Sequence, residues 1–213
     1  MPELRRKGFR LGTWHGKIPT DLKSEYAIQR ALYLHGVCLV PHRDPQTHIH
    51  LRPIGYEMPL YRASRDKSVD VVAYDRQHNI YLIEVKQAQN SQRLAEVIKQ
   101  VNDYAGIFEQ IKKYVQAEFN EQFHVSVEFK RIVKLIVAPR KFYKKDENLK
   151  FLASFHGDVW VGFLGRIPAG AKTELLWKKS GPISIHLHHV PADTGLGTTG
   201  GRDGEGGQGR HNV

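Results

Sequence analysis

The chain has 213 residues, 40% hydrophobic and 25% charged, which is globular composition and enough for one domain with an ordinary core. Lysine and arginine outnumber aspartate and glutamate 32 to 22, and this net +10 suggests either a polyanionic partner, nucleic acid above all, or simple solubility. No apolar run approaches the ~18 residues of a membrane span, the opening MPELRRKGFR lacks the apolar stretch of a secretory signal, and Cys38 stands alone, so intrachain disulfides and cysteine-rich zinc sites are excluded and a reducing cytoplasm without membrane association is expected.

Residues 20–35 read as a helix, capped by Thr20 or Asp21 and ended by Gly36, with Glu25, Ile28, Gln29 and Leu32 on one stripe. Residues 55–62 suggest a strand that Pro59 demotes to an edge or an irregular one. SVDVVAY (68–74) and IYLIEVK (80–86) flank the turn-like DRQHN and read as a β-hairpin. A long helix follows, about 91–117, with Leu94, Val97, Ile98, Val101, Ala105, Phe108 and Val115 on its apolar face. Strands are expected at 131–138, 158–164 and, more weakly, 183–188, giving a mixed sheet with helices packed on it. The folded unit is taken as 1–190, with a core of about 20–138 and an extension over 139–190. Residues 191–213 are read as a flexible tail, because 192–213 hold eight glycines and almost nothing apolar.

Centring the hairpin on Gln77 places Asp70 opposite Glu84 and Ser68 opposite Lys86. Side chains alternate along a strand, so Glu84 and Lys86 share a face and Asp70 joins them from its neighbour. Charges on a strand whose other face is apolar are costly unless paired or bound to a cation. Close hard oxygen donors suit magnesium or manganese, and a lysine beside them can hold a water or neutralise a phosphate, which together imply metal-assisted phosphodiester hydrolysis.

Val69-Asp70, thirteen intervening residues and then Glu84-Val85-Lys86 resemble the PD-(D/E)XK nuclease superfamily, with valine where proline is usual. Gln100-Val101-Asn102-Asp103-Tyr104 resembles the QxxxY motif of its RecB-like branch, and Glu25 matches the acidic residue many members carry on the first helix. The resemblance implies an α/β, restriction-endonuclease-like core, a central mixed sheet flanked by helices in the order αβββαβ, with C-terminal additions. It further implies a Mg2+- or Mn2+-dependent deoxyribonuclease. Asp70, Glu84 and the Val85 carbonyl would bind the metal, with Glu25 contributing directly or through water. Lys86 would position or activate the attacking water, and Gln100 and Tyr104 would support the site or contact the nucleic-acid backbone. DNA is the implied partner, in repair, recombination or defence, with a homodimer or larger nuclease complex allowed. The alternative is a module that keeps the fold to bind nucleic acid or act as a scaffold and does not cut.

Blander readings stand beside these. Asp70, Glu84 and Lys86 could form a cross-strand ion network. Glu25 could be solvated or paired with Arg30, Gln100 could be a polar rim residue and Tyr104 a core aromatic. Glu57 reads as an edge-strand carboxylate or a spare ligand. His48-x-His50 and the His186, His188, His189 group have zinc-like spacing but no evident third partner. Cys38 reads as a small core residue. No phosphate-cradling GxxxxGK[ST] occurs, so no nucleotide cofactor is expected. Lys130, Arg131, Lys134, Arg140, Lys141, Lys144, Lys145 and Lys150, interleaved with Phe142 and Tyr143, read either as a phosphate- and base-contacting segment beside the cleft or as a solvated loop.

Overall fold

The computed structural model describes residues 3–12, 24–42, 44–62, 67–164 and 182–191. The expected Thr20 or Asp21 cap and nearly all of the glycine-rich tail lie outside these residues. Helix α1 (Glu25–His35) is capped by Ser24, whose hydroxyl accepts from Ala27 N at 3.1 Å, and ends at Gly36 with φ +75°. Seven strands follow in one sheet: β1 (Val37–Pro41), β2 (Ile49–Pro59), β3 (Ser68–Tyr74), β4 (Ile80–Val85), β5 (Ile132–Ala138), β6 (Val159–Leu164) and β7 (Ile183–His189). Between β4 and β5 runs α2 (Leu94–Phe123), and between β5 and β6 lie α3 (Arg140–Tyr143) and α4 (Asp146–Ser154).

The strands close into a barrel in chain order, β1 through β7 and back to β1. Strands β1 to β4 form an antiparallel meander, β4, β5 and β6 run parallel, and β7 lies antiparallel to β6 and parallel to β1. This corrects the expected open sheet flanked by helices. Two of the seven staves, β6 and β7, come from residues 139–190, the stretch read as an extension. The decisive pairing, Val37↔Ile183 to Pro41↔Leu187, joins segments more than 140 positions apart, and no local pattern carries it. Strand β2 is accordingly flanked on both sides. Its prolines are accommodated by a register shift between Pro53 and Gly55, and Pro59 is its last residue.

Alternation divides the apolar residues between two faces. One set, with members from every strand, fills the lumen: Val37, Leu39, Leu51, Val71, Ile83, Leu135, Trp160, Ile185 and their neighbours, joined by Ile28 and Leu32 of α1. The opposite face of β2–β4 carries Met58, Val69, Val72, Ile80 and Leu82 beneath Phe108, Ile111 and Val115 of α2. The first turns of α2 (Leu94, Val97, Val101) pack with Ile136, Val159, Phe142, Tyr143 and Leu152. Helix α2 therefore clasps the outer wall along its whole length, and residues of the β3–β4 outer face point toward it.

Candidate active site

The DRQHN turn sets the geometry of everything beyond it. Asp75 Oδ1 accepts from Gln77 N at 2.8 Å and Asn79 N at 3.0 Å, while Oδ2 accepts from Asn79 Nδ2 at 2.8 Å and Tyr81 Oη at 3.0 Å. The resulting ladder pairs Tyr74 with Ile80 and Val71 with Ile83, the register expected from centring on Gln77. Asp70, Glu84 and Lys86 consequently share the outer face with Val72 and Leu82. Just beyond the Val71–Ile83 rung, Val85 N donates to Asp70 Oδ2 at 2.7 Å, so the carboxylate is tied to the neighbouring strand.

Glu84 and Lys86 are both buried, at 2% and 6% exposure, and Lys86 Nζ donates to Glu84 Oε1 at 2.7 Å. Glu84 Oε2 is buried without a well-formed hydrogen bond, with Gln100 the nearby donor that eases its charge, and such sparse solvation is costly for a carboxylate oxygen. Burial pushes both acids upward, Asp70 well above the usual carboxylate range, with Glu84 repelling it further. Burial by itself would lower the Lys86 ammonium, but the adjoining Glu84, then Asp70 and Glu25, outweigh it and hold the group above its ordinary value. Glu84 and Glu25 both act on Asp70, and Glu25 acts on Glu84, beside a single lysine.

The remaining expected residues arrive from two directions. On α2, Gln100 Nε2 donates to Tyr104 Oη at 2.9 Å, as their one-turn spacing implies. Gln100 eases ionisation of Glu84, and the phenol of Tyr104, buried at 7% exposure, is pushed up first by burial and also by Glu84 and Asp70. Tyr104 is also a core member beside Phe108. Glu25, at the start of α1, lies close enough to act on Asp70, Glu84 and Lys86. Its Oε1 accepts from Asn90 Nδ2 at 2.5 Å and Gln87 N at 3.3 Å. Glu25, Asp70 and Glu84 do not bring one oxygen each within 4.8 Å of one another. The structure thus brings Asp70, Glu84 and Lys86 together as a core and sets Glu25 one step away, bracing the loop after β4. Val85 is wholly buried and faces the lumen.

Glu57 lies across from Asp70, since Tyr56 pairs with Val71 and Met58 with Val69. Its φ of +43° is unusual for a non-glycine residue in a strand and lies beside the acids. An open cavity of about 310 Å³ adjoins the site, lined by Lys67, Gln92, Glu96, Lys99, Gln100, Asp103 and Tyr104. Lys67, Gln92 and Glu96 carry no signal in the sequence, because they surround Gln100 only once α2 lies against the barrel.

The basic segment does not lie together. Strand β5 runs from Ile132 to Ala138, parallel to β4, with Glu84 opposite Ile136. Lys130 and Arg131 therefore sit at the strand end far from the acids, about 15–20 Å back at 3.3 Å per residue. Lys134 is engaged by Asp158 and by Asn102 Oδ1 at 2.8 Å. Arg140, Lys141, Lys144 and Lys145 follow β5 at the end nearer Glu84. Lys145 Nζ donates to the Asn90 carbonyl, in the same loop that Glu25 braces. Phe142 and Tyr143 are 0% and 1% exposed, which corrects their reading as base-stacking aromatics. Helical spacing buries them against β5 and β6, and Tyr143 Oη donates to the Gly162 carbonyl at 3.1 Å.

The expectation that His48 and His50 lack a third partner is also overturned, since Cys38 lies beside them. His189 is turned onto the Gly157 carbonyl at 2.9 Å. No helix among the described residues is long and apolar enough to cross a membrane. Comparison with protein-family models, curated proteins and solved structures finds no match to this chain.

Proposed function

We propose that the chain is a metal-dependent nuclease that hydrolyses DNA phosphodiester bonds at the Asp70–Glu84–Lys86 cluster. The observation that carries this reading is the buried Glu84 carboxylate, whose Oε2 makes no well-formed hydrogen bond and has only Gln100 nearby, beside a second raised carboxylate. An evolved core rarely leaves such an oxygen so sparsely bonded. An all-oxygen donor pair with excess negative charge fits a hard divalent cation, magnesium or manganese, which would be held by Asp70 and Glu84 with Glu25 reaching it through water. When bound, the ion supplies positive charge to the phosphoryl oxygens and makes water more acidic.

The chain's own groups have separate tasks in this reading. Lys86, held by Glu84 Oε1 at 2.7 Å, presents its remaining N–H bonds to the attacking water and to the charge that develops on the phosphate. The water oxygen forms the new bond to phosphorus and gives up a proton to solvent, the bond to the leaving ester oxygen breaks, and that oxygen takes up a proton from solvent. Gln100 and Tyr104 keep the Glu84 side of the site polar and fixed. The Arg140, Lys141 and Lys144 side chains, all exposed at the near end of β5, supply phosphate contacts along the strand. The resemblance to PD-(D/E)XK nucleases is one of site pattern and rests on these residues, since a fold does not by itself imply a function.

Incubation of the full chain with linear, circular, single-stranded and branched DNA tests the proposal. Cleavage with Mg2+ or Mn2+, none with chelator, and loss in Asp70→Asn is the expected pattern. Intact substrates under every metal condition would instead favour a binding module that does not cut.

A further inference from the structure

A second site of different chemistry lies on β1 and β2. Cys38 pairs with His50 across the antiparallel ladder. Val37 and Leu39 point into the lumen, so alternation sends Cys38 outward. His48 lies just before β2, and its ring sits beside that of His50. The two imidazoles sit with ring centroids 6.3 Å apart. One ligand atom from each of Cys38, His48 and His50 falls within 4.8 Å of the others. The turn before them is fixed: Thr47 N donates to the Asp44 carbonyl at 3.2 Å, Gln46 N to Asp44 Oδ1 at 3.3 Å, and the Thr47 hydroxyl to Asp44 Oδ2. The thiol is buried at 5% exposure while both histidines are exposed.

We propose that Cys38, His48 and His50 bind one transition-metal ion of the zinc class, with a fourth position facing solvent. One sulfur and two imidazole nitrogens are borderline-soft donors, which favour zinc, cobalt or copper and disfavour magnesium. Ligands at ~2.0–2.3 Å around a tetrahedral ion stand about 3.3–3.8 Å apart, so closure needs shifts of at most about 1.5 Å, which torsions of two exposed imidazoles supply. Binding converts the thiol to thiolate and releases its proton to solvent. The site shares no residue with the Asp70–Glu84 pair and does not depend on the nuclease reading.

Cobalt(II) added to the full chain is the probe, because a thiolate ligand produces a sulfur-to-cobalt charge-transfer band that oxygen and nitrogen ligands do not. One equivalent, beyond any held by the Asp70–Glu84 pair, should bind with that band and with tetrahedral visible bands, and zinc should displace it. Cys38→Ser should lose the charge-transfer band. Because Cys38 is buried, the surface double variant His48→Gln/His50→Gln provides a second test and should weaken cobalt binding by at least about tenfold. Asp70→Asn/Glu84→Gln should leave the band intact. Absence of cobalt binding, binding without the charge-transfer band, or unchanged affinity in the double histidine variant would overturn the proposal.

Discussion

Glu84 and Asp70 sit where burial favours their protonated forms. A carboxylate whose pKa is raised on folding stabilises the fold while protonated and loses that contribution as pH rises through the folded value. For Asp70 the loss begins near its ordinary value of 3.8 and ends above the raised one. Asp70→Asn removes the ionisation and keeps an oxygen for the Val85 amide. In chelator, the variant's Tm minus that of wild type should therefore climb as pH increases across this window and then level off. Thermal melts across a pH series check this, and a flat or falling difference would show that the buried charge is not costly. Mg2+ should raise the Tm of wild type more above the window than below it, because only the ionised pair attracts the cation.

At the scale of elements, the acid cluster depends on the β3–β4 turn. Asp75 satisfies Asn79 and Tyr81 as well as two backbone amides. Asp75→Ala strands those buried donors and should destabilise the protein by about 1–3 kcal/mol, read by denaturant unfolding. The same turn explains why the site is legible in the sequence. A hairpin register spans few residues and follows from alternation, and the Gln100–Tyr104 spacing follows from one turn of helix. The short β1 run VCLVP escapes a sequence reading because three successive buried residues show no alternation. Helices α3 and α4 hide among lysines, since Phe142, Tyr143 and Leu152 are the buried apolar residues that mark their inner side. The Cys38–His48–His50 grouping is hidden with β1, because it exists only across that strand pair.

Over the whole molecule, closure of the barrel decides which charges can act together. Strands β3 to β7 can be read from the sequence, but β1 and its pairing with β7 cannot, because that pairing joins segments far apart in the chain. Closure leaves Lys130 and Arg131 at one end of β5 and Arg140, Lys141 and Lys144 at the other. Reversing Arg140, Lys141 and Lys144 to glutamate should weaken DNA binding, and neutralising them should flatten its salt dependence by about one unit of slope for each phosphate no longer neutralised. Lys130→Glu should change binding far less. Fluorescence-anisotropy titrations at several salt concentrations separate the two, and equal weakening would place the DNA elsewhere.

The claim on which the rest depends is the proposal that Glu84 and Asp70 bind a divalent cation. Calorimetric titration of Mg2+ into wild type and into Glu84→Gln, with folding of both checked by circular dichroism, addresses it directly. The account predicts saturable binding in wild type and none in the variant. Absence of Mg2+ binding in wild type, or equal binding in a folded Glu84→Gln, would contradict it.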